Sequence, residues 1–190
     1  MLIQKIKAIN ALLAEADIKT SAFSAKSGIS CIPGCGKCCA SPTINASSPE
    51  FLPAAFSLYK QERILGYLEK LQGSQPGNAC IFFNPFSAGT GNCEIYESRG
   101  LVCRLFGYST RLNKNSEPNL ITCQPIKQTS QYQRVSTAHL KSAPNASALY
   151  TKLSSIDIRE ANNIRPVNEA IRIAMEEVLL YFSFRRKRPA

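Results

Sequence analysis

Residues 31 to 39 read CIPGCGKCC, four thiols in nine residues with two of them adjacent. The chain carries eight cysteines: Cys31, Cys35, Cys38 and Cys39 in this run, then Cys80, Cys93, Cys103 and Cys123. None falls between 40 and 79 or after 123. Thiols serving only as small apolar core residues would not cluster in this way. Thiolates are soft ligands, and sulfur-dominated sites favour zinc, Cu(I) or iron–sulfur clusters. Cys35-Gly-Lys-Cys38 can grip one ion while the backbone turns between its two thiols, with Gly36 allowing a close approach. In an extended segment, neighbouring Cys38 and Cys39 would point opposite ways. One would then ligate a first ion and the other would face a second site or a supporting role. Four early and four late ligands would make two tetrahedral sites. Equally, four thiolates could hold one metal or cluster while the rest support it.

The other ligand types narrow the chemistry. The chain has one histidine, His139, and two aspartates, Asp17 and Asp157. A His-rich zinc hydrolase site or a two-His-one-carboxylate iron site cannot be assembled from these. His139 reads as a surface or core residue. All eight cysteines are candidate ligands, and the expected cofactor is zinc or iron, the iron alone or in a 4Fe-4S or 2Fe-2S cluster. Cys31-x3-Cys35-x2-Cys38 is also the spacing of radical-SAM enzymes. That fold needs alternating strands and helices, which this chain lacks, and Lys37 stands where those motifs usually carry an aromatic.

The elements that must position the thiols follow from pattern. Leu2, Ile6, Ile9, Leu13 and Ala16 form an apolar stripe that predicts a helix over 2–16. Residues 28–48, rich in Gly, Pro, Ser and Cys, predict a loop. Ser48 as N-cap, Pro49 and Glu50 then open a helix that runs to about Gly73 and is closed by Pro76-Gly77. Ile81–Phe83 and Glu94–Tyr96 predict a small hairpin, and 99–106 a helical turn. Further helices are expected near 129–141 and 145–155. The last helix, VNEAIRIAMEEVLLYFSF, would bury Val167, Ile171, Ala174, Val178 and Tyr181 on one face. The fold class expected is α-rich α+β: one domain over 1–190, with a metal core at about 28–125 and helical flanks at 1–27 and 126–184.

CGKCC, Cys80 and then CEIYESRGLVCRLFGYS resemble the YkgJ-type cysteine-cluster family of zinc- or iron-chelating domains. Cys35, Cys38 and Cys39 match that family's first cluster, and Cys80, Cys93 and Cys103 its middle. Ile95, Tyr96, Glu97, Arg99, Arg104 and Phe106 match its "IYE-x-RP-x-x-CR-x-F" segment, and Cys123 its last cysteine. Gly100 stands where the family has proline, which predicts a looser turn before Cys103. The resemblance implies metal or Fe–S binding. Some of the family's relatives look like flagellin lysine methylases, so it also leaves a protein-modifying enzyme as the alternative.

The formal charge is +10. Ionised thiolates would offset part of it, and the tail 185–190 (RRKRPA) carries more, as a solvated helix end or a patch for a protein partner or acidic surface. Arg99 and Arg104 read as charge compensation, with Glu94 or Glu97 as partners. No apolar run approaches the length of a membrane span, and the N-terminus reads as an amphipathic helix, so the expected compartment is the cytoplasm. Few acids or bases accompany the thiols, only Tyr96, Glu94 and Glu97, so a binding module is expected before an enzyme.

Overall fold

A computed structural model describes residues 1–73, 77–87 and 90–186. Helix α1 is Leu2–Ser27, well past the expected end at 16. The apolar stripe continues through Thr20 and Phe23, both buried. Gly28 ends it in the left-handed region (φ 72°), its N–H on the Ser24 carbonyl. A single turn, α2 (Lys37–Ala40), carries Cys38 and Cys39, so these two stand on a helix and not on extended chain.

The segment expected as one helix divides into a 3₁₀ turn at Ser48–Phe51, α3 (Leu52–Lys60) and α4 (Ile64–Gln72). Ser47, not Ser48, stands at the cap. The break is a Schellman motif: Arg63 N–H reaches the Leu58 carbonyl and Glu62 N–H the Tyr59 carbonyl. Glu62 (φ 60°) occupies the position that usually calls for glycine, so no sequence signal marks the break. The closing Pro76 lies outside the described residues, as does the tail beyond 186.

Helices α5 (Leu101–Leu105), α6 (Gln124–Lys127), α7 (Ser130–Gln133), α8 (Thr137–Ser142), α9 (Ala146–Ile156), α10 (Ile158–Ala161) and α11 (Val167–Arg186) follow. Helix α11 buries Val167, Ile171, Ala174 and Val178 as its pattern predicts, while Tyr181, expected on the same face, is only partly buried. The expected helix at 129–141 is two short ones.

Strands come in antiparallel pairs. They are β1 (Asn45–Ala46), β2 (Phe83–Ser87), β3 (Thr90–Cys93), β4 (Ser109–Leu112), β5 (Pro118–Ile121) and β6 (Arg165–Pro166). The pairs are β1–β6, β2–β3 and β4–β5. The first hairpin lies inside the expected one. Ile81 gives its N–H to the Asn168 side chain, and Tyr96–Ser98 turn as 3₁₀. The β4–β5 hairpin was not expected. The class is as expected: α-rich with short hairpins, flanked by terminal helices.

One large apolar cluster joins α1, α3, α4, α9 and α11 through residues such as Ile9, Leu52, Leu153 and Met175. A second, small cluster gathers Phe23, Ile29, Leu120, Ile126 and Ala143. Among the described residues no helix is long and apolar enough to cross a membrane.

Candidate metal centre

The loop 29–36 has no regular structure, and its shape comes from a few bonds to distant residues. Cys31 N–H donates to the Tyr108 hydroxyl (2.7 Å), and Cys35 N–H to the Ile32 carbonyl (3.0 Å). Gly91 N–H on β3 donates to the Gly34 carbonyl (3.0 Å). Cys80 N–H donates to the Cys39 carbonyl (2.8 Å), which brings the approach to β2 against α2. Cys93 ends β3 opposite Phe83. Cys103 rides on α5, and Cys123 stands at the start of α6. Cysteines far apart in sequence thereby converge. Cys31, Cys35, Cys38, Cys39, Cys80, Cys93 and Cys103 all line one cavity of about 510 Å³. Cys123 reaches the region from the second apolar cluster.

The glycines of this region make room for one ring. A Cβ on Gly36 would stand 2.1 Å from the Phe83 ring, and one on Gly91 2.4 Å from the same ring and 2.6 Å from the Asn84 carbonyl. Gly36 therefore serves Phe83, which fills the slot between the cysteine loop and the hairpin. Gly91→Ala would meet both the ring and backbone that cannot swing aside. We expect it to cost about 1–3 kcal/mol, as overpacking does, measured by denaturant unfolding. An unchanged midpoint would mean that the slot is slack.

Burial sets the ionisation of the thiols. Desolvation pushes Cys31, Cys38 and Cys103 up and takes Cys80 to about 11. Cys103 is exposed, but to the cavity it lines, deep within the protein. The Cys39 thiol hydrogen-bonds Cys93. That contact holds Cys39 protonated and lowers Cys93, with help from the Arg99 charge. Most of these sulfurs are therefore neutral thiols near pH 7.

Arg99 and Arg104 do compensate charge, but their partner is Asp17 on α1, not Glu94 or Glu97. Buried Arg104 also donates to the carbonyls of Arg99 (3.0 Å) and Glu97 (2.6 Å), fixing the turn that precedes Cys103. Arg99 stacks on Tyr96, 4.0 Å from the ring centre. Glu94 faces away from the cavity and pairs with Arg63 (2.5 Å). Gly100 adopts φ −62°, a value proline also takes, and a Cβ there would touch the Phe51 ring at 2.9 Å. The Phe51 ring packs this turn in place of a proline side chain. His139 accepts from Ser136 N–H at the start of α8 and does not line the cavity.

Two supports were not legible as site residues. One is Tyr108, which has no local motif. The other is Glu50, fully buried, whose carboxylate accepts from Ser47 N–H (2.9 Å), Ser47 Oγ (3.1 Å) and Val102 N–H (2.7 Å). The spacing Ser47-x-x-Glu50 is a capping box, and that was the available signal.

The donors fit a metal in type and number: soft thiols gathered at one cavity, two of them already in contact. Among the described residues, no three His, Cys, Asp or Glu side chains are spaced as a finished metal shell. A family model matches residues 30–138, more than half the chain and the stretch that holds all eight cysteines. The chain belongs to the CxxCxxCC family. That family is described as "Putative zinc- or iron-chelating domain". Metal chelation is therefore the class of function assigned to CxxCxxCC residues 30–138, while the helices α9 and α11 that brace them lie outside the match. No curated protein and no solved structure matches the chain.

Proposed function

We propose that the eight cysteines are the ligands of this chelating domain, and that zinc or iron, the iron alone or as an iron–sulfur cluster, is held by their thiolates. The observation that carries this reading is the convergence of seven cysteines, spread from 31 to 103, on one cavity. The thiolates would supply soft, charge-rich coordination. Arg99 balances part of their charge, and Arg104 keeps the turn before Cys103 in place. The first role of the metal is structural, since it would close loops that little else holds.

The test is an absorption spectrum of protein purified without air, with metal and sulfide content measured on the same sample. Absorbance near ~400 nm with iron and labile sulfide identifies a cluster. A colourless protein with zinc identifies a redox-inert centre. A folded protein with no metal removes the reading. Cys38→Ser should lose metal and expose the 29–44 and 77–100 segments to protease. The helical circular dichroism should stay, because Cys38 is not part of the large apolar cluster. A structural site is worth on the order of 10 kcal/mol. Unchanged metal content and melting temperature would take Cys38 out of the site.

A second reading rests on the size of the cavity. About 510 Å³ exceeds what a metal and its thiolates need and lies in the range of small-ligand sites. Its wall includes Tyr96, Arg99, Phe51 and Phe82 beside the thiols. A metal-dependent, protein-modifying enzyme would use that space for a substrate side chain. Phe82→Trp would narrow it, and an enzyme so altered would lose turnover while keeping its metal.

A further inference from the structure

Taking the cysteines as metal ligands, as proposed above, we infer that the thiols form two four-thiolate sites that meet at the Cys38–Cys39 peptide. Cys31, Cys35, Cys38 and Cys123 hold one, and Cys39, Cys80, Cys93 and Cys103 hold the other. Order along the chain would instead divide the ligands after Cys39. The fold moves Cys39 to the later group and Cys123 to the earlier one.

Cys39 belongs with the hairpin. Its carbonyl accepts from Cys80 N–H at 2.8 Å, and its thiol contacts that of Cys93. Cys80 and Cys93 both pack against the large apolar cluster. Cys103 is carried by α5, whose Leu101 and Leu105 are buried in that same cluster.

Cys31 belongs with the second cluster. Its N–H rests on the Tyr108 hydroxyl, and Tyr108 and Cys123 both pack against Phe23, Ile29, Leu120 and Ile126. Gly107 N–H donates to the Ile121 carbonyl at 2.7 Å, joining the turn of Tyr108 to the segment that leads into Cys123. Between the two groups stands α2. Neighbouring residues on a helix project about 100° apart, so Cys38 and Cys39 aim at different places.

Cys35 stays with Cys31 on the same loop, its N–H on the Ile32 carbonyl at 3.0 Å. Each set holds the four thiolates that a tetrahedral zinc or an iron–sulfur cluster takes.

The test uses the full chain, stripped of metal, reduced and given Zn²⁺ without air. Native mass spectrometry counts the ions bound. Iodoacetamide then marks free thiols, and fragmentation of the intact chain locates the marks. The expected result is two zinc ions at saturation. After one equivalent, molecules with four marks should carry them on one complete set. Cys123→Ser should keep one zinc and protect Cys39, Cys80, Cys93 and Cys103. The wild-type pattern stands whether or not that variant folds. Saturation at one zinc, or Cys39 protected together with Cys31, Cys35 and Cys38, overturns the division and leaves thiolate chelation standing. No zinc bound and all eight thiols marked overturns the chelation reading itself.

Discussion

Metal affinity should fall at least about a thousandfold for each pH unit below neutrality. The reason is the protons the thiols hold. Burial pushes Cys80 and Cys103 up, and the Cys93 contact does the same to Cys39, so all three are protonated at pH 7. A metal binds thiolate, so as proposed ligands each would release its proton on binding. Three displaced protons give three decades of affinity per pH unit. Binding releases protons and is therefore favoured by alkali and opposed by acid. Competition against a chromophoric chelator of known pH dependence, between pH 6 and 8, measures the slope. A slope near zero would mean that these thiols do not bind the metal.

The metal-free protein should respond to alkali in the opposite direction. A thiol whose pKa is raised in the folded state contributes stability that is fully present below its unfolded value, about 8.5. That stability is lost as pH rises through the folded value, which for Cys80 is about 11. Alkali thus loosens the metal-free protein while it tightens metal binding. Melting curves with and without metal between pH 7 and 10 should diverge.

Glu50→Ala should remove about 4–6 kcal/mol of stability, a large share of what a domain of this size has. Glu50 is fully buried and accepts three hydrogen bonds, from both polar groups of Ser47 and from Val102 N–H. The Tyr150 hydroxyl also interacts with it. Alanine strands these donors in the interior, each at about 1–3 kcal/mol, and leaves a cavity as well. Glu50→Gln keeps the volume but turns an amide N–H₂ toward one of the donors, so its loss should be smaller, roughly 1–3 kcal/mol. Denaturant unfolding of the metal-free protein isolates the effect from ligation. A loss under about 1 kcal/mol for alanine would mean that water replaces the carboxylate. Because Val102 adjoins Cys103, the alanine variant should also bind metal more weakly.

The sequence by itself determined the chemistry. Eight thiols with almost no histidine or aspartate point to soft-metal chemistry, and ligand type is a property of composition. It also determined α9 and α11, where the helical period is local and strong. Local pattern did not reveal the end of α1, because Thr20 hides in an apolar stripe, nor the break at Glu62, where a non-glycine residue takes the left-handed position. Only the tertiary structure decided which thiols meet. Cys31 depends on Tyr108, Cys39 on Cys80, and the turn before Cys103 on Asp17, a full domain's breadth away in sequence. The Phe83 ring that fills the space left by Gly36 and Gly91 is likewise supplied from outside the cysteine loop. Such pairings are set by burial and by hydrogen bonds between distant segments. The spacing of cysteines along the chain marks the candidate ligands, but the cores against which their loops pack decide which thiols come near one another.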